Sequence, residues 1–149
     1  MWLALPAMLL LAPVEVPAIE LSLSKASAFW NGDQVLVVCD AVIDNRTAAA
    51  VSVRSNFFSA FDGVSLVVRN AKGKELFRKS YIAHQSPQAP PGKLYGLAVG
   101  ENRKELRFPV DLPKGTDTIR VSLVGTLPGS GRDDLLLSDV IEVKVGPGK

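Results

Sequence analysis

"QVLVVCDAVID", residues 34–44, decides the fold. Val35, Val37, Cys39, Ala41 and Ile43 recur at a period of two and so share one face. That is the periodicity of a β-strand with one dry side. The other face carries Leu36 and Val38 beside Asp40. Apolar side chains on both faces place the strand inside a sheet, not at its edge.

The same grammar extends in both directions. "IELSLS", residues 19–24, alternates Ile19, Leu21 and Leu23 with Glu20, Ser22 and Ser24. "VIEVKV", residues 140–145, sets Ile141, Val143 and Val145 against Glu142 and Lys144. Between them, "AVSVRS", "GVSLVVRN", "ELFRKSY", "KLYGLAV", "KELRFPV" and "DTIRVSLVG" read as further strands. The breaks have turn chemistry. Asn31-Gly32 precedes the 34–44 strand, and "NAKGK" (70–74) forms a hairpin loop in which Gly73 supplies a positive φ. "DLPKGTD" (111–117) and "LPGSGRDD" (127–134) are Pro/Gly connections. No long amphipathic helix, internal repeat or dividing linker interrupts the pattern. Strands at spacings of roughly 8–12 residues predict an all-β domain, an antiparallel two-sheet sandwich of about 7–9 strands. A β-barrel is the alternative.

Length and composition agree with one packed domain. The chain has 149 residues, 47% hydrophobic and 21% charged, enough to bury a core. A formal net charge of +2 is too small for the concentrated positive face of a nucleic-acid binder, and none is expected as a partner. The single cysteine cannot form an internal disulfide. A secreted eukaryotic domain of this size would often carry paired cysteines, so a bacterial source is expected. The run from Trp2 to Val14 has no charge and is shorter than the ~20 residues of a membrane-spanning helix. With Val16 and Ala18 at small-residue cleavage positions, residues 1–18 read as a signal peptide and 19–149 as the domain. No Lys or Arg precedes the apolar run, a departure from the usual signal. The expected location is extracytoplasmic, periplasmic or secreted, with no transmembrane segment after cleavage.

"NGDQVLVVCDAVIDNRTAAAVSVRS", residues 31–55, resembles the start of many bacterial immunoglobulin-like domains. The matching positions are Gly32 and Asp33 in the turn, Val35 and Val37 in the strand, and Asn45 at its end. "FDGVSLVVRNAKGKELFRKS", residues 61–80, is similar to the next hairpin in two such groups: cell-adhesion-related bacterial domains and the intracellular proteinase inhibitors of bacilli. The resemblance implies an immunoglobulin-like sandwich used for binding or as a spacer, and it carries over no catalytic residue.

Nothing in the chain assembles into evident catalysis. His84 is the only histidine. A general base needs an orienting partner and a nucleophile in reach, and one His with one Cys is no usual zinc set. No catalytic residue, metal ligand or cofactor is therefore expected, and His84 reads as a loop residue. Its surroundings, "YIAHQSPQAPPGKLY" (81–95), hold Pro87, Pro90 and Pro91. Prolines favour stiff extended backbone that loses little entropy on binding. The candidate partner-binding residues are accordingly His84, Gln85, Pro87, Pro90, Pro91 and Lys93, with a plain crossover between sheets as the alternative.

Other features have structural readings. Cys39 is in phase with apolar neighbours and reads as a small buried hydrophobe. Phe57, Phe58 and Phe61 close the core beneath a loop. Lys72, Lys74, Arg78 and Lys79 form a solvated hairpin that deters edge pairing. The acidic residues of "RDD" and Asp139 lack the spacing of a calcium loop, and "PPGK" lacks the first glycine of a phosphate loop. "NRT" (45–47) is a glycosylation sequon with meaning only in a eukaryotic secretory pathway. The expected function is a non-catalytic module for protein binding or structural support at the bacterial cell envelope. The rivals are a proteinase inhibitor presenting residues 84–93 and a small hydrolase using His84.

Overall fold

The computed structural model describes residues 18–55, 60–81, 93–127 and 132–148. They form ten strands, one 3-10 turn at Ala60–Gly63 and no α-helix. In chain order the strands are β1 (Ile19–Asn31), β2 (Gln34–Asn45), β3 (Val51–Ser55), β4 (Val64–Arg69), β5 (Glu75–Ser80), β6 (Lys93–Leu97), β7 (Gly100–Val110), β8 (Thr118–Leu127), β9 (Arg132–Leu137) and β10 (Ile141–Gly146).

The opening alternation is the centre of the fold. Val35, Val37, Cys39, Ala41 and Ile43 are all buried, and β2 lies between β1 and β7. Phe108 and Leu106 of β7, Leu66 and Val68 of β4, and Ile119 and Val121 of β8 join them in one continuous core. Tight turns set the registers. Asn31 pairs with Gln34 across Gly32-Asp33. Of these two turn residues Gly32 has positive φ, at 64°, and Asp33 does not, the sign pattern of a type II′ hairpin turn, whose twist suits the flanking strands. In the β4–β5 hairpin Gly73 has φ 82°, and Asn70 Oδ1 accepts from the amides of Lys72 and Lys74 at 3.0 Å each.

The pairing runs β5-β4-β8-β10-β1-β2-β7, with β9 also on β8 and β3–β6 as a separate two-stranded sheet. This is an all-β fold built on one curled mixed sheet, a half-barrel. Its ends approach each other: Lys79 of β5 donates through Nζ to the Pro109 carbonyl of β7 at 3.4 Å. Pro109 is tolerated because β7 is an edge strand, where a missing N–H breaks no ladder.

The sheet departs from the expected all-antiparallel pairing at one contact. β1 and β10 run parallel, with Ala28 opposite Val145 and Phe29 opposite Gly146. The cause is the second half of β1. A register shift between Leu23 and Lys25 makes Ser24 a bulge residue, and one extra residue exchanges the two faces of a strand. Inward positions change from Ile19, Leu21 and Leu23 to Ala26, Ala28 and Trp30. The strand therefore continues through "SKASAFWN" and reaches β10.

Candidate functional site

The exposed large apolar residues of the described chain are Val99, Leu135, Leu137 and Val140. Three of them stand together beside β8. Leu135 is 61% exposed, Leu137 67% and Val140 56%. They form one side of a groove of about 550 Å³ on the outer face of β4, β8 and β9. Single exposed leucines need no explanation, but three around one concavity do.

The groove follows from local pairing. Val67 of β4 lies opposite Ser122 of β8 on one side and Arg78 of β5 on the other. Val124 of β8 lies opposite Leu137 of β9. The concavity thus crosses the strands from β5 to β9, with Val67 and Ser122 buried in its floor. At its β9 end the pairing lapses. Ser138 donates its amide to the Leu123 carbonyl at 2.9 Å, and its hydroxyl accepts from the Leu123 amide at 2.7 Å. A side chain stands in for the backbone acceptor there, so the chain leaves the ladder at 138–140 and resumes it as β10. That interruption brings Val140 to the groove.

Three arginines border the other side: Arg69, Arg78 and Arg120. They differ in their partners. Arg78 grips Glu75 with two bonds, 2.9 and 3.1 Å, which hold the Glu75 carboxyl below the usual carboxylate range. Arg120 lies 3.8 Å from Glu142. Arg69 donates from Nη1 to Ser122 Oγ at 3.1 Å. Glu75 lies opposite Arg69 across the β4–β5 pair, and the Arg69 charge also helps to lower its carboxyl, without a direct ion pair between the two. Sequence reading assigned Arg78 to a solvated hairpin and missed the groove. The deciding signal is the pairing of "RDDLLL" with β8, which the turn-like composition of "LPGSGRDD" conceals.

Of the candidate loop residues, His84, Gln85, Pro87, Pro90 and Pro91 lie outside the described residues, as do Phe57 and Phe58 and the 1–17 segment. Lys93 opens β6 opposite Ser55 of β3. The two ends of the loop are therefore in different sheets. Its first residue is fixed: Tyr81 donates its amide to the Val64 carbonyl at 2.8 Å. The Tyr81 ring meets Phe108 edge-on at 6.0 Å, and Lys104 Nζ lies 5.5 Å from the ring centroid.

Cys39 is buried. Burial pushes its thiol up to about 12, with Asp40 and Glu105 adding to the effect. A thiol so held is a poor nucleophile at neutral pH. Asn45 is fully buried. Its Nδ2 donates to the carbonyls of Ala49 at 3.1 Å and Leu97 at 3.0 Å, and its Oδ1 accepts from the Thr47 amide and hydroxyl at 3.0 and 2.6 Å. The sequon asparagine is thus a clamp between β2 and the end of β6, with no amide face left for a glycan. Among the described residues no three His, Cys, Asp or Glu side chains converge, and no helix is long and apolar enough to cross a membrane. No protein-family model matches the chain, and no curated protein matches it.

Proposed function

We propose that the protein is an exported, non-catalytic immunoglobulin-like module that binds a protein partner at the bacterial cell envelope. The observation that carries the binding role is the groove on β4, β8 and β9, where exposed Leu135, Leu137 and Val140 face Arg69. Fully burying a leucine contributes roughly 1.5–3 kcal/mol, and arginine is enriched among the residues that dominate interface energies. The two residue types in one concavity suit a macromolecular surface better than a small substrate.

Strand order supports the immunoglobulin-like part of the reading. β7-β2-β1 and β5-β4-β8-β10 have the neighbours of immunoglobulin strands E-B-A and C′-C-F-G. Export rests on the uncharged run before "VPA", and β1 begins at Ile19, directly after the expected cleavage point. Intact-mass analysis of the exported protein should show Ile19 first; a protein retaining Met1 contradicts export by cleavage.

The binding role is tested by affinity capture from native envelope extract with a C-terminally tagged chain. The wild type should retain a partner that the double variant Arg69→Gln/Leu137→Ser loses. Equal retention by both would place binding elsewhere on the molecule.

A further inference from the structure

We infer that the ligand of the groove is an extended peptide segment of a partner protein, with a carboxylate side chain at one end and an apolar side chain at the other. The inference rests on the binding-module reading and adds the chemistry of the ligand.

Direction comes from the strands beneath. The apolar side chains Leu135, Leu137 and Val140 lie at the β9 end, and Arg69 lies on β4. Arg69 Nη1 reaches Ser122 on β8, two residues before Val124, and Leu137 lies opposite Val124 on the next strand, so the guanidinium and the leucine are roughly 8 Å apart along the sheet. An extended chain rises about 3.3 Å per residue, and side chains on one face recur every second residue. A carboxylate and an apolar side chain two or four positions apart would reach both ends of the groove. The whole concavity, from β5 to β9, accommodates about five residues at that rise.

Charge selects the sign. Arg78 and Arg120 already have Glu75 and Glu142. Arg69 hydrogen-bonds a neutral hydroxyl, shares the field of Glu75 with Arg78 and is half-buried, so three guanidinium groups stand against two carboxylates. Its guanidinium has donors left for a planar carboxylate, which it can bind in two-point geometry. A basic ligand would instead bring a like charge to Arg69. A lipid surface would be met better by several unmatched cations around a protruding apolar tip than by one arginine inside a concavity.

The test uses end-blocked five-residue peptides with Glu and Leu two positions apart, and matched peptides with Gln or Lys replacing Glu. Binding is followed by NMR of the Arg69 side chain and the Leu135 and Leu137 methyls in the full chain. The Glu peptide should shift these signals, and the Gln and Lys peptides should bind roughly tenfold more weakly or not at all. Arg69→Gln should remove the Glu preference, whereas Arg69→Lys should keep part of it because the charge remains while the two-point geometry is lost. Leu137→Ser should weaken all three peptides. Equal binding of the Gln or Lys peptide, shifts confined to other faces, or no binding of the Glu peptide at millimolar concentration would overturn the inference. So would Arg69-dependent binding to phosphatidylglycerol vesicles without peptide binding. If envelope capture depends on the groove and the peptides show no Glu preference, only the ligand class falls. If capture is indifferent to the groove, the assignment of the groove as the binding site fails.

Discussion

Along β7 the exposed charges satisfy one another. Arg103 meets Glu101 at 2.8 Å and Arg107 meets Glu105 at 2.9 Å. At the far end of β1 and β2, Arg46 is held by both Glu20 and Asp44 at 2.9 Å. On β4, β8 and β9 the matching is incomplete: Arg69 hydrogen-bonds Ser122 and shares Glu75 with Arg78, and the leucines beside it are uncovered. Both outer faces belong to one curled sheet over one core. The difference teaches that surface completion is local. One face is closed electrostatically on itself, and the other leaves apolar side chains uncovered beside an excess of guanidinium groups.

The comparison breaks most severely if the shared core is not what supports both faces. Phe108 is 1% exposed, and Phe108→Ala should cost about 3–5 kcal/mol. By contrast, Leu137→Ser should change stability by no more than about 0.5 kcal/mol, as exposed substitutions do. Denaturant unfolding of the two variants checks both. A large loss from Leu137→Ser would mean that it packs rather than waits for a ligand.

Asn45→Ala is next. It removes the bonds to Ala49, Thr47 and Leu97 and leaves the Leu97 carbonyl buried without this donor. The expected loss is roughly 2 kcal/mol by equilibrium unfolding. Hydrogen exchange should increase first in β3 and β6, which this clamp ties to the main sheet.

Cys39→Ala should cost roughly 1 kcal/mol or more through the cavity it opens. Its effect should also depend on pH. The folded thiol stays protonated up to about 12, against 9.0 for an unperturbed thiol. Between those values the unfolded state binds fewer protons, so stability falls as pH rises. The variant should lose that part of the alkaline slope, measured by unfolding at pH 8 and 10.5. A native thiol that reacts rapidly with maleimide at pH 7 would contradict burial.

The smallest effect sharpens the contrast between faces. Glu105→Gln/Arg107→Gln should cost about 0–1 kcal/mol, since exposed ion pairs contribute little, and should leave partner capture unchanged. Loss of capture would show that the matched face also recognises something.

The sequence reading reached the all-β class through β2, because both of its faces follow a strict period of two. It also anticipated the β4–β5 hairpin, where Asn70 and Gly73 have local turn chemistry. It lost the second half of β1 because Ser24 inverts the parity of inward residues. The groove was illegible for a different reason. Its residues come from β4, β5, β8, β9 and the connections at 70–74 and 138–140, and no local spacing reveals that Leu137 lies opposite Val124. The proline-bearing loop stands out by composition, whereas the groove becomes visible through pairing alone.

The most direct test of an open face against a closed one is site-specific photo-crosslinking in native envelope. A photoreactive residue at position 137 should give one dominant protein adduct, and the same residue at position 103 should give none above background. Adducts of equal yield from both positions, or from position 103 alone, would contradict the account.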